Sequence, residues 1–182
     1  MKVACIENVR IPSERAHAYQ IVQTCAWLAR FGYDVTLVNP DRAGGKDVLA
    51  EYGLSPGLFR HERLRSWDPL TRWPVAKPLA YVLQRWAFVR ELRRWVRGNA
   101  SDVWYTRDPA IVDALRSTIR GPWVLELHDA PDANPARWAR VRPFVSRFVV
   151  ISSGLKRRLL NEGIGEDRIV VAPDAFDPEF FV

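Results

Sequence analysis

Six short β-rich runs recur along the chain: Val3–Ile6, Val35–Val38, Val103–Tyr105, Trp123–Leu127, Phe148–Ile151 and Ile169–Ala172. They are continuous apolar stretches rather than alternating ones, which suits strands covered on both faces of a parallel sheet. Helical stretches lie between them. Residues 16–31 place Ile21, Cys25, Leu28 and Ala29 on one stripe, and Gly32 follows as a stop. "RDPAIVDALRSTI" opens with Asp108 as N-cap and Pro109 at the first helical position, with Ile111, Leu115 and Ile119 on one side. "SSGLKRRLLNEG" offers Ser152 or Ser153 as cap and Gly163 as stop. Strand, helix, strand repeats. The expected class is α/β, a Rossmann-like open parallel sheet with helices on both faces.

The spacing breaks once. Val38 and Val103 lie about 65 residues apart, too far for a single crossover helix. Residues 41–77, rich in Gly, Pro, Arg and Trp, are expected to form a mobile loop or a small subdomain. A helix over 78–98 then returns to the sheet. Its first half, "LAYVLQRWAFV", is apolar nearly all round; its second half separates Phe88, Leu92 and Trp95 from Arg90, Arg93, Arg94 and Arg97.

Charge concentrates in the same region. The chain carries +6 overall, yet residues 60–97 hold ten basic and three acidic side chains, so the remainder is close to neutral. Four of the eight Trp lie there: Trp67, Trp73, Trp86 and Trp95. Aromatics among arginines favour an anionic membrane surface, each basic residue near it adding on the order of 1 kcal/mol. The plainer reading is a core helix with solvated arginines, and the two are compatible. Base stacking on nucleic acid is a weaker third reading, since no nucleic-acid-binding motif accompanies the Trp residues.

Several classes drop out. No apolar run approaches the roughly 18 residues of a spanning helix, and "MKVACIENV" lacks the pattern of a signal peptide. Cys5 and Cys25 have no CxxC partner, so they read as small buried hydrophobes in a reducing compartment. No ligand cluster argues for a metal. The first turn, "ENVRIPSERAHAYQ", contains no glycine, which disfavours nicotinamide dehydrogenases. Neither a P-loop nor a GxSxG elbow occurs.

In open α/β sheets, ligands bind beyond the carboxyl ends of the strands. Those ends carry Glu7-Asn8, Asn39, Thr106-Arg107-Asp108, His128-Asp129 and Ser152-Ser153. His128, one residue past a buried strand, could bond a sugar hydroxyl or accept a proton near neutral pH; the alternative is a His bonded to neighbouring backbone. His61 sits among arginines and reads as solvated. His17 opens the first helix, where free N–H groups can meet an anion; a neutral surface histidine is the equal alternative.

Three stretches resemble the N-terminal half of family 4 retaining glycosyltransferases of the GT-B fold. "RIPSERAHAYQIVQTCAWLARFGYDVTLV" is similar to that family's first loop, helix and second strand, and "VLELHD" to the strand ending in its cleft histidine. "VVISSGLKRRLLNEGIGEDRIVVAPDAFDPEFF" is similar to its serine-led helix, next strand and interdomain hinge, with Asp174-Ala175 where Asn-Gly is usual. The resemblance implies an acceptor-side domain over 1–172 and, at 173–182, the start of a hinge into a missing donor-binding domain. It implies a cytoplasmic transferase, peripheral at the inner membrane face where the acceptor is lipid-linked. The enzyme would use a nucleotide-sugar co-substrate, no other cofactor and no metal, and this half alone would be inactive. By the same resemblance His128 would bond the donor sugar, and Arg15, His17 and Gln20 would line the acceptor side. Arg107 could hold a phosphate or carboxylate as a bidentate donor, and Asp129 and Ser152 complete the facing rim. The alternative is a non-catalytic membrane-anchoring or scaffold subunit of a split transferase.

Overall fold

The computed structural model describes residues 1–42, 44–69, 77–130 and 134–173. Seven strands form one all-parallel sheet: β1 (Lys2–Ile6), β2 (Asp34–Pro40), β3 (Arg60–Leu64), β4 (Val103–Thr106), β5 (Trp123–Leu127), β6 (Val145–Val150) and β7 (Ile169–Val171). Their order is β3-β2-β1-β4-β5-β6-β7. The chain builds outward from β1 to one edge, returns to the centre, and builds outward again from β4. The gap between the carboxyl ends of β1 and β4 is therefore a topological switch point, where such sheets form clefts.

The strand pleat sorts β1 between two cores. Val3 and Cys5 face helix α1 (Ala16–Arg30), packing with its Ile21, Val22 and Cys25 and with Val48 of the short α2 (Val48–Glu51). Ala4 and Ile6 face the opposite layer. There Phe88 and Leu92 of α3 (Lys77–Gly98), Ile111 and Leu115 of α4 (Pro109–Leu115), Trp138 and Val141 of α5 (Pro135–Val141) and Leu159 of α6 (Ser153–Asn161) close over the sheet. Cys5 and Cys25 are free and buried, as the sequence suggests. The caps on α4 and α6 also match expectation: Asp108 accepts from the Ala110 N–H at 2.8 Å, and Ser152 from the Leu155 N–H at 3.2 Å.

Residues 41–69 depart from the expected loop. They contribute α2 and then β3, which pairs in parallel with β2 from Thr36↔Arg60 to Pro40↔Leu64. The strand reads Arg-His-Glu-Arg-Leu, too charged for an apolar-run criterion. An edge strand with one neighbour needs no apolar run, and its charges guard the open edge against further pairing. The expected segment 70–76 lies outside the described residues. Helix α5 is a second departure. Asn134 caps it, accepting from the Arg137 N–H at 2.9 Å, and Pro135 occupies its first turn. Its stripe is only Trp138 and Val141, too short to register as a period.

The long helix α3 splits as its sequence suggests. Ala80, Phe88, Leu92 and Val96 are buried. Leu79, Val82 and Trp86 instead form an exposed stripe, Trp86 at 60%, which continues along the same helix face as Arg90, Arg93 and Arg97. The Arg90 guanidinium lies over the Trp86 ring, 5.6 Å from its centroid. Among the described residues, no helix is long and apolar enough to cross a membrane.

Candidate functional site

The cleft is assembled from three strand ends and one helix start. After β1, Glu7 continues the ladder, donating its backbone N–H to Val38 O at 2.9 Å. Its side chain is buried, and its carboxyl oxygen Oε1 accepts from the Arg107 backbone N–H at 2.8 Å. Burial pushes Glu7 up to about 8, against the pull of that hydrogen bond and of the Arg107 charge. It is a protonated acid at neutral pH.

Arg107 follows β4 and turns its guanidinium beneath α1. One terminal nitrogen lies 2.6 Å from Glu126 Oε1, and the two side chains are 6% and 8% exposed. The same guanidinium donates to Gln20 Oε1 and Thr24 Oγ1, both at 3.4 Å. Gln20 and Thr24 sit one helical turn apart on one face of α1, so the helix is keyed to this arginine. Glu126 Oε1 also lies 2.5 Å from His128 Nε2. The sequence thus folds Arg107, Glu126 and His128 into one line, from beneath α1 out to the cleft.

Buried ion pairs of this kind contribute little net stability compared with an apolar pair of similar volume. What Glu126 does supply is orientation: it fixes one ring nitrogen of a histidine whose side chain remains 25% exposed. Glu126 was not singled out in the sequence. The signal was present as a lone carboxylate in "WVLEL", a strand otherwise apolar.

The exposed end of this line opens on a cavity of about 390 Å³. His17, Arg107, Leu127, His128, Asp129 and Trp138 line it, with Asn134 and Arg137 at the rim. His17 reaches it from the first turn of α1. Desolvation holds its pKa below the ordinary histidine value, helped by the charges of Arg107 and His128, so His17 is neutral there.

Of the expected residues, His128, His17, Arg107 and Asp129 converge on this cavity. Gln20 lies beneath it, on Arg107. Arg15 falls in an adjoining concavity that shares His17. Ser152 is the exposed cap of α6 and is not among the lining residues. His61, expected to be solvated, is not. It sits part-buried on β3 with Nε2 2.6 Å from Asn39 Oδ1. Burial, aided by Arg63, lowers its pKa to about 4. Of the arginines around it in sequence, Arg60 alternates to the other face of the strand, while Arg63 shares the face of His61. Among the described residues no group of three or more His, Cys, Asp or Glu is placed to hold a metal ion.

A Rossmann-like sheet with its cavity at the switch point is the architecture of one half of a GT-B fold. Solved structures match it closely in shape and weakly in sequence. The UDP-GlcNAc 2-epimerase of Methanocaldococcus jannaschii aligns with 94% of this chain at TM-score 0.64 and 15% identity. Anabaena Alr3699/HepE, in complex with UDP and glucose, covers 97% at 0.63 and 13%. The lipopolysaccharide outer core galactosyltransferase WaaB covers 97% at 0.60 and 13%. The chain spans about half the length of these structures, 45%, 45% and 46% respectively. No curated protein matches the chain significantly. The family model Glycosyltransferase Family 4 matches residues 18–180. The chain belongs to glycosyltransferase family 4.

Proposed function

We propose that this domain is the acceptor side of a hexosyltransferase that moves a sugar, with retention, from a nucleotide-sugar donor to an acceptor hydroxyl. The observation that supports it most is the line Arg107–Glu126–His128 ending in the switch-point cavity. Glycosyl transfer needs stabilisation of an oxocarbenium-like centre, of the departing diphosphate, and a hydroxyl held close by. His128, turned by Glu126, bonds the donor sugar at the cavity floor. The Glu126 carboxylate behind it favours the positive charge that develops there. His17, neutral, accepts a bond from the acceptor, and Asp129 lines the same cavity. Arg107 acts through Glu126 and Gln20 rather than on a ligand.

The nucleotide is held by a second domain following the hinge at 173–182, of which 174–182 lie outside the described residues, or by a partner chain. Neither a metal nor a further cofactor takes part. The test uses the complete native gene product with a panel of nucleotide sugars, reading nucleoside diphosphate release that depends on acceptor. Release is expected to persist in chelator and to fall at least a hundredfold in His128→Ala. Undiminished release in that variant overturns the role of His128.

A second reading, a membrane-anchoring or scaffold subunit of a split transferase, draws on the exposed stripe of α3. Leu79, Val82 and Trp86 at one end and Arg90, Arg93 and Arg97 at the other match the apolar and anionic layers of a lipid surface. On this reading the protein is peripheral at the cytoplasmic membrane face and its acceptor is lipid-linked. Sedimentation with phosphatidylglycerol vesicles, lost in Trp86→Ser and absent with phosphatidylcholine, is the expected result. Equal sedimentation with both lipids overturns the docking.

A further inference from the structure

Arg107, the arginine most suited by sequence to hold an anion, is already occupied by Glu126. Arginines held less tightly lie next door. Across His17 the cavity passes into a concavity of about 430 Å³, whose polar lining is Asn8, Arg10, Ser13, Arg15, His17 and Arg42. Three arginines line this space, and among the described residues no acidic residue does.

Each arginine is poorly compensated. Arg15 is the N-cap residue of α1, makes no side-chain capping bond and has no carboxylate partner among the described residues. Arg10 pairs with Glu14 at 3.2 Å, but both side chains are more than half exposed, 52% and 81%, so the pair is weak and easily exchanged. Arg42 is the buried member, with its side chain 12% exposed. It donates to Asn8 Oδ1 at 3.1 Å, and its Nε stands 3.8 Å from Asp68, beyond hydrogen-bond reach. Burial lowers its pKa and Asp68 only partly opposes this.

The walls are built rather than incidental. Ile11 and Pro12 are buried and pin the loop from β1 to α1. Tyr52, from the segment after β2, clamps Ser13 by accepting from its N–H at 3.0 Å and donating to its carbonyl at 2.7 Å. The N-terminus of α1 opens on the same space and adds its partial positive charge.

We propose that this concavity holds a phosphate or diphosphate group carried by the acceptor, so that the substrate class is a phosphorylated acceptor rather than a neutral sugar. The proposal rests on the transferase reading for the word acceptor. Converging guanidinium forks suit the several oxygens of a phosphate, and Arg42, already desolvated, gives the strongest bond. The phosphate could belong to a lipid-linked diphosphate or to a soluble sugar phosphate, which present the same oxygens to the site.

Inorganic pyrophosphate titrated into this chain by calorimetry is the direct probe. Saturable binding is expected, weakened at least tenfold in Arg15→Gln and in Arg42→Gln. It should be unchanged in Arg147→Gln, which removes the same charge from an exposed site on β6. Arg15 is exposed, so its variant reports binding even where loss of buried Arg42 disturbs the fold. Equal loss in Arg147→Gln, or none in Arg15→Gln, overturns the site. Glucuronate competing as well as phosphate overturns the phosphate assignment. Geranyl diphosphate against glucose 1-phosphate separates the sources: tighter binding of the first supports a lipid-linked acceptor, of the second a soluble one. Sugar transfer by the complete protein onto an uncharged acceptor, without pyrophosphate binding, overturns the anion site and leaves the transferase reading standing. Pyrophosphate binding with no transfer from any nucleotide sugar does the reverse.

Discussion

Two histidines in this molecule, at strands separated by three others in the sheet, do opposite things. His61 on β3 meets the amide oxygen of Asn39 at 2.6 Å, and His128 after β5 meets the carboxylate of Glu126 at 2.5 Å. The distances are nearly equal, but the partners differ in charge. A neutral amide in a buried setting cannot offset an imidazolium, so His61 stays neutral down to about pH 4 and acts as a structural donor at the sheet edge. A carboxylate, itself anchored by Arg107, holds the ring of His128 in one orientation, and His128 faces a cavity. A histidine on this sheet becomes a site residue through the partner's charge and the space beyond the ring, rather than through burial alone.

The largest effect should come from cutting the line behind His128. Glu126→Ala leaves the guanidinium of Arg107, 6% exposed, without its counter-charge. A loss of about 3–5 kcal/mol in urea unfolding is expected, because an uncompensated buried charge is costly. The double variant Glu126→Leu with Arg107→Leu should recover most of it. A loss below about 1 kcal/mol in the single variant would mean that solvent or another group shields Arg107, and that Glu126 does not hold the line together.

Acid titration sharpens the contrast from another side. Glu7 keeps its proton in the fold up to about pH 8, whereas the unfolded chain releases it near 4.5. Between those values the native state binds more protons, so stability falls as pH rises. His61 works the other way. The unfolded chain takes up a proton below about 6.5 that the native state refuses until about 4, so stability rises with pH across that window. The groups facing Glu7 are Arg107, Asp108 and Glu126. Glu7→Gln should abolish a fall on the order of 2 kcal/mol between pH 6 and 8. Below about pH 6.5 the two slopes oppose each other, so the same variant should also uncover the acid-side rise that His61 contributes. A wild-type curve flat from pH 6 to 8 would show that Glu7 is ionised in the fold.

A smaller loss is expected at the structural histidine. His61→Ala removes one hydrogen bond from Asn39, which is fully buried and still donates to Val9 O and Pro40 O at 3.2 Å. The expected cost is about 1–2 kcal/mol. The acid-side contribution of His61 should vanish with it, leaving the opposing fall due to Glu7. Thermal unfolding at pH 5 and pH 7 reads both effects.

His61 also marks what the sequence could and could not express. The five interior strands and the long helices were legible, because burial on both faces demands apolar runs and a helix facing a sheet demands a stripe. The edge strand β3 was not, because nothing in "RHERL" is required to be apolar where only one neighbour pairs with it. At the site, His128, His17, Arg107 and Asp129 were legible by their places at strand and helix ends. Their connection was not. That Arg107 would be spent on Glu126 depends on strand order, which sets β4 beside β5, and no local pattern encodes that neighbour. Ser152 is placed differently: its hydroxyl caps α6, and it is not among the residues that line the cavity.

The smallest stability effect should fall on the residue with the largest proposed role. His128→Ala removes a ring that is 25% exposed and leaves Glu126 bonded to Arg107, so the buried charges stay balanced. A loss under about 1 kcal/mol is expected, less than at His61, since an exposed partner adds little. Unfolding midpoints of the two variants, measured side by side at pH 7, give the ranking. If His128→Ala proves the more destabilising, His128 is a structural clamp on Glu126 and the two histidines are alike. If it costs almost nothing while sugar transfer collapses, the carboxylate is what separates them, because Glu126 then serves to aim the ring rather than to hold the sheet.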